Sequence, residues 1–428
     1  MRNPRPPIYI NPMQKYSLFS LLNGALHSHE NWKPAWRSPD PKPDYDIAVI
    51  GAGGHGLATA YYLAKDHNLT NVVVLEKGWL GGGNTGRNTT IIRSNYLRDD
   101  SIAIYELARS LYENLSTDLN FNTMFSPRGL LMLCQTEHDV RAMRRHAYAG
   151  RNKGLDVKML TPAEVKQLVP LLNCSAQARY PVLGALYQPR GGTARHDAIA
   201  WGYARGASQR GVDIIQNCAV TGIRREGDKI AGVETERGYI RANKVAIVTA
   251  GHAGQVAEMA GLRLPLESLA LQACVTEPLK PCLDVVVMAN TVHGYISQSD
   301  KGELVIGGGS DAYNNYSQRG SFSSIEHTIT ALVEMFPILA RTRMLRQWGG
   351  VIDMTGDRSP IISKTDINGL YLNCGWGTGG FKAIPGSGKV FADTIANDRP
   401  HPFAEPFGLQ RFITGRLIDE SIAAAVAH

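Results

Sequence analysis

Apolar positions along the chain fall into two periods, and the switches between them mark out the elements. From Tyr45 a short apolar run, "YDIAVI", breaks at a glycine-rich turn and passes into "HGLATAYYLAKDH". There Leu57, Ala60, Tyr61 and Ala64 share one face at helical spacing. "NVVVLEKG" follows as a second strand of the buried type, and helical segments then alternate with turns to about residue 170. The stretch "RGVDIIQNCAVTGIRREGDKIAGVETERGYIRANKVAIVTAGHAG" alternates strands with Gly, Asn and Asp turns. It predicts a β-meander that leads into one more apolar strand, Val245–Thr249. A mixed stretch over about 262–340 holds further strands such as "ELVIGGG". "GLYLNCGWGTGGFKAIPGSGKVFADTIA" then predicts a strand, a glycine-rich loop and a helix.

Residues 1–43 break this pattern. Repeated prolines, ending in "SPDPKPDYD", deny the segment long helices and central strands. It is expected to be an extended arm with a short helix near "YSLFSLLNGALHSH", carrying Tyr16, Phe19, Trp32 and Trp36 onto another surface, either its own domain or a second subunit. At 428 residues the chain exceeds what one core usually serves, which predicts two domains. No apolar run reaches the roughly 18–20 residues of a membrane span, and "MRNPRPPIYINPMQKY" lacks the apolar core of a secretory signal. Six singly spaced cysteines without a C-x-x-C pair point to reduced thiols in a cytoplasm, and away from a zinc site. The net charge of +7 is dispersed, so nucleic acid is not the expected partner.

The strongest local signal is Gly51-Ala52-Gly53-Gly54-His55-Gly56, a G-x-G-x-x-G between a strand and a helix. Gly51 allows the tight turn, Gly53 lets the backbone approach a pyrophosphate, and Gly56 permits close helix–strand packing. Glu76 ends the next strand, where a carboxylate accepts from a ribose diol and disfavours a 2′-phosphate. The helix N-terminus offers its unpaired N–H groups to the phosphates. A nicotinamide enzyme usually continues βαβ into a second half. This chain interposes a meander and returns with a strand before "TAG" and a C-terminal glycine loop, a layout that favours FAD. The expected fold is therefore α/β. A discontinuous Rossmann-like FAD-binding domain (44–120, 185–260 and 341–405) is joined to a smaller mixed-sheet substrate domain (121–184 and 261–340), with 406–428 as a C-terminal tail helix.

Five blocks carry a resemblance: "YDIAVIGAGGHGLATAYYLAK", "VVVLEKGWLGGGNTGRNTTIIRSNYL", "YQPRGGTARHDAIAWGYARGA", "HGYISQSDKGELVIGGGSD" and "GWGTGGFKAIPGSG". Together they resemble the β subunits of heterotetrameric sarcosine oxidases, over essentially the whole chain. The resemblance implies oxidation of sarcosine with tetrahydrofolate and O2 to glycine, 5,10-methylenetetrahydrofolate and hydrogen peroxide. It implies noncovalent FAD in this chain, FMN attached covalently through His196 at the contact with the α subunit, NAD on that α subunit, and small γ and δ subunits. Folate would bind mainly through the partner. Arg93 and Lys382 match the pair that holds the substrate carboxylate. Further FAD contacts are implied at Gly54, His55, Lys77, Asn84, Thr85, Arg87, Thr89, Val220, Gly251, Gly377, Gly379 and Gly380, with Arg195 near the FMN.

Two departures from the related monomeric oxidases stand out. "QWGGVIDMTGD" lacks the cysteine that tethers their FAD, and Val305 aligns with their oxygen-activating lysine. The first predicts noncovalent FAD, and the second predicts that electrons leave FAD for a second acceptor. His55 and His252 are expected near the FAD without a catalytic role. Competing readings are an FAD enzyme for proline, dimethylglycine or glycine, an RNA-modifying flavoprotein, and a structural subunit with a relic FAD fold.

Overall fold

The computed structural model describes residues 17–30 and 34–420. Two eight-stranded sheets organise it. The first has Asp44–Ile50 at its centre, flanked by parallel partners Val72–Leu75 and Gly238–Ile247. Asp213–Ile215 and Leu370–Cys374 extend it outward in parallel, and antiparallel Ile361–Lys364 closes one edge. The strand order reverses at the central strand, so a crevice opens beyond its C-terminal end. The meander forms as expected: Val220–Glu226, Lys229–Thr235 and Gly238–Ile247 pair antiparallel in sequence. The last of these ends at Ile247, two residues before the predicted end.

The helices Gly54–Asp66, His196–Ser208 and Gly380–Asn397 pack on one face of this sheet, with Asp99–Asp118 against the last. Glycine sets how closely they approach. A Cβ at Gly388 would lie 2.5 Å from the Ala58 methyl, and one at Gly386 would lie 2.9 Å from that of Ala108. Gly380–Asn397 therefore sits wedged between two neighbours with no side chain at the crossings.

The second sheet runs Met344–Thr355, Leu266–Pro278, Glu303–Ser310, Gly294–Gln298, Val286–Ala289, Leu130–Cys134, Gly184–Gln188, Lys158–Leu160. Two expected boundaries therefore move. Gly184–Gln188 pairs with Leu130–Cys134, and Met344–Thr355 pairs along its length with Leu266–Pro278. Both strands had been assigned to the cofactor domain within 185–260 and 341–405, yet they belong to the substrate sheet. Their apolar runs show that they are buried, but not which sheet receives them.

The arm also divides. Leu18–Leu26 is the expected short helix, and none of its residues is buried. Trp36 packs on the main core, and Arg37, Lys42 and the Tyr45 hydroxyl converge on buried Asp213. The arm thus returns to its own domain from Trp36 onward; Tyr16 and Trp32 lie outside the described residues. In the tail the described helix is only Arg411–Thr414. It is pinned by the buried Arg411–Asp357 ion pair, 2.7 Å at its shortest contact. Residues 421–428 of the expected tail helix lie outside the described residues. No described helix is long and apolar enough to cross a membrane.

Candidate active site

A cavity of about 870 Å³ opens beyond the central strand and runs between the two sheets. Its volume is in the range of ordinary cofactor and ligand sites. The glycine turn forms one end. Gly51 has φ +109°, and a Cβ there would lie 2.4 Å from the Val248 carbonyl oxygen. A Cβ at Gly56 would lie 2.0 Å from the carbonyl oxygen of Gly51, so Gly56 acts by packing behind the turn rather than from the cavity wall. The Gly54 N–H donates to Thr85 Oγ1 at 2.9 Å, and Gly53, the helix N-cap, has no side-chain cap. At Gly53 the cradle is bare backbone, as close approach of a pyrophosphate requires.

Glu76 stands at the end of its strand on the cavity wall. It accepts from the N–H groups of Ala52 (3.0 Å) and Gly78 (2.9 Å), one on each carboxylate oxygen. Those bonds fix its orientation, and each oxygen keeps capacity to accept from a diol. Lys77 Nζ lies 3.3 Å from His252 Nε2 on the same wall. These features fit a dinucleotide at this end of the cavity.

Of the expected cofactor positions, Gly51, Gly53, Gly54, His55, Glu76, Lys77, Asn84, Thr85, Arg87, Thr89, Val220, Gly251, Gly377 and Gly380 line the cavity. Gly379 does not: a Cβ there would lie 2.1 Å from the Tyr105 hydroxyl, so this glycine serves helix packing. Asn84 and Arg87 donate to backbone carbonyls, of Val351 and of Gly82 and Gly83 respectively, and so shape the wall. His55 is held by Ser387 Oγ and, at 2.9 Å, by the Gly380 carbonyl, with its ring stacked on Trp376. Burial lowers its pKa to about 4, against the raising effect of the Gly380 carbonyl, so at neutral pH it is an uncharged wedge.

Arg93 and Lys382 meet at the other part of the wall. Both are buried, at 2% and 7% exposure. Arg93 donates to Asn95 Oδ1 at 3.1 Å and lies over the Tyr96 ring at 4.4 Å. Lys382 donates to the Thr378 carbonyl at 2.9 Å. Burial holds the Lys382 pKa well below that of a free lysine, and the Arg93 charge lowers it further. Two basic side chains enclosed on one wall, with the Glu420 carboxylate in electrostatic reach of Arg93, suit an anionic group that enters from the cavity. Phe381, Met288, Leu271 and Tyr295 supply apolar wall nearby. No cysteine lines the cavity among the described residues, and all six thiols are free.

His196 lies elsewhere. It is the first residue of the His196–Ser208 helix, half-buried and off the cavity wall. The connection to the cavity is short: Gly192–Thr193 pairs with Ile91–Ile92, and the Ala194 N–H donates to the Thr90 carbonyl. Burial lowers the His196 pKa, opposed by Asp197, so the imidazole is neutral at physiological pH. Arg195 forks onto Asp197, with Nε–Oδ1 at 3.0 Å, which engages the guanidinium within its own turn. Val305 is half-buried on Glu303–Ser310 and does not reach the wall. The wall lysines are Lys77 and Lys382, so the oxygen-activation argument built on Val305 does not hold at that position.

Sequence reasoning missed Asp353, which lines the cavity, and the Tyr316–Arg319 segment at its mouth. Asp353 lies within the "QWGGVIDMTGD" stretch, whose only sequence signal is its missing cysteine, and Tyr316–Arg319 sits in no recognisable motif.

Residues 46–394 match the family model described as FAD dependent oxidoreductase. A sarcosine oxidase subunit beta from Rhodobacter capsulatus is 63% identical over 97% of this chain and 100% of its own length. The chain belongs to the sarcosine oxidase β-subunit family. The Arthrobacter sp relative of the same name is 56% identical over 92% of this chain and 97% of its own. Among solved structures, L-proline dehydrogenase from P. horikoshii superposes with a TM-score of 0.82 at 27% identity, covering 88% of this chain and all of that one. Glycine oxidase from Geobacillus kaustophilus, at 22% identity and a TM-score of 0.78 over 86% of this chain and 99% of its own, shares the fold. The chain is thus an FAD-dependent oxidoreductase with a Rossmann-like cofactor sheet and a mixed substrate sheet.

Proposed function

We propose that this chain is the amine-oxidising subunit of a multisubunit sarcosine oxidase, with noncovalent FAD in the cavity and sarcosine bound through Arg93 and Lys382. The observation that carries the reading is the enclosed pair of basic side chains on the wall of a cavity built for a dinucleotide. When bound, FAD supplies the acceptor for the two electrons and hydrogen leaving the substrate C–N unit. The protein's part is placement. The planar Arg93 fork pairs with both carboxylate oxygens and Lys382 adds a point charge, which fixes one end of a small amino acid. The apolar wall then takes the N-methyl end and excludes water. Positioning of this kind can supply much of the rate of a reaction that needs little acid–base help.

The names of the relatives support partner subunits. We place FMN covalently on His196, with O2 as the final acceptor, tetrahydrofolate taking up the one-carbon unit, and NAD on the α subunit. The neutral imidazole of His196 and its position off the FAD cavity support a second, separate flavin site. The likeness to L-proline dehydrogenase supports proline as the competing substrate to examine. The test is tryptic mapping of the purified complex: the peptide containing His196 should carry a fluorescent adduct of FMN mass. An unmodified peptide in active complex rejects that placement.

A further inference from the structure

The edge strand Met344–Thr355 of the substrate sheet does more than complete that sheet. With its partner Leu266–Pro278 it holds three cofactor loops from adjacent positions. The Val351 carbonyl accepts from Asn84 Nδ2, Ser268 Oγ donates to the Gly251 carbonyl at 2.7 Å, and Asp353 reaches the glycine loop before the Gly380–Asn397 helix. Asp353 and Ser268 face each other in register.

Asp353 is 2% exposed, and no basic side chain pairs with it among the described residues. Its carboxylate accepts from the Gly375 N–H, and the following amides of Trp376 and Gly377 stabilise its charge electrostatically. Successive amides curled around an anion form a nest, and the positive φ values of Gly375 (+72°) and Gly377 (+49°) give the backbone that curl. A Cβ at Gly377 would lie 2.4 Å from Met354 Sδ, so the turn is pressed directly onto the strand. Burial pushes the Asp353 carboxyl up to about 6, while the amides of Gly375, Asp353 itself, Gly377 and Trp376 pull it back down. Such nests commonly bind external anions; this one is filled by the chain's own carboxylate.

We propose that Asp353 is a positioning residue for the cofactor, its carboxylate fixing the Gly375–Gly377 turn and through it the helix start that carries Gly380 and Lys382. This rests on the FAD reading above. Asp353 belongs to the substrate sheet, whereas the turn belongs to the cofactor sheet, so the contact registers one layer against the other exactly where the cavity runs between them.

The test is FAD titration of the full-length chain in its complex, depleted of its noncovalent FAD and followed by quenching of the added FAD fluorescence, with thermal melts alongside. Asp353→Asn keeps the shape but turns an amide NH2 toward donors. It should weaken FAD binding on the order of tenfold or more, the scale of lost charge-assisted hydrogen bonds. It should also shift the bound flavin's visible absorption bands. If that variant does not fold, Asp353→Ser, which retains one acceptor, is read the same way. A folded variant with wild-type FAD affinity and spectrum overturns the proposal, as does a change confined to the acid limb of kcat/KM, which would make Asp353 a proton acceptor instead. Failure of the wild-type protein to bind FAD would instead reject the cofactor reading itself.

Discussion

At the scale of single residues, the cavity is distinguished by two buried basic side chains on its wall, Arg93 and Lys382. Lys382 is felt by Arg93 and by no carboxylate strong enough to restore its pKa. Replacing Lys382 by Met should therefore leave folding intact or slightly improved, because an amine whose ionised form burial disfavours gives way to an apolar side chain. The same change should raise the sarcosine KM by about tenfold or more, checked by steady-state kinetics beside a thermal melt. His146 supplies a second residue-scale prediction. Burial lowers its pKa to about 4, against the raising contact with the Asn95 carbonyl, and Arg93 lowers it further. The unfolded chain takes up this proton below about pH 6.5, whereas the native state resists until about pH 4. Its contribution is therefore complete above pH 6.5 and is lost as the pH falls toward 4. Between pH 7.5 and pH 5 the loss amounts to about 2 kcal/mol. His146→Leu should flatten the fall in Tm over that range; an unchanged slope would assign it to other groups.

At the scale of elements, the site depends on how closely the Gly380–Asn397 helix approaches the Gly54–Asp66 helix. Gly388→Val places a branched side chain where the Ala58 methyl already stands within 2.5 Å of a Cβ. Overpacking of this kind costs about 1–3 kcal/mol. The variant should show a lower Tm and lose FAD more readily, since the displaced helix carries Lys382; a melt and a flavin-to-protein ratio check both. The elements themselves were legible where sequence and geometry are tied locally. The glycine turn, Glu76 at a strand end and the C-terminal strand, loop and helix all follow from spacing. What escaped was pairing over long separations. Met344–Thr355 reads as one more buried strand, and only its register with Leu266–Pro278 shows that it grips three cofactor loops. Gly379 misled for a related reason, since a glycine required by a neighbouring tyrosine looks the same in sequence as one required by a ligand.

At the scale of the molecule, two sheets from interleaved segments enclose one cavity, while His196 stands on a helix start outside it. Arg93 and Lys382 are about 290 positions apart in sequence, and residue types alone could not have brought them together; the family resemblance did. That arrangement predicts different fates for the two flavins. Acid precipitation of the complex should release FAD into the supernatant, because no cysteine borders its site, and leave FMN with the protein. FAD in the pellet would contradict the noncovalent assignment. The central claim, that this cavity oxidises an amine anchored by its carboxylate, is tested most directly by anaerobic mixing of the purified complex with sarcosine while flavin absorbance is followed. Wild-type complex should bleach rapidly. Arg93→Ala, with its full complement of FAD, should bleach at least about a hundredfold more slowly at low sarcosine, as expected for loss of a bidentate charged contact. Equal bleaching rates in the two proteins, or a wild-type response to proline but not to sarcosine, would contradict the account.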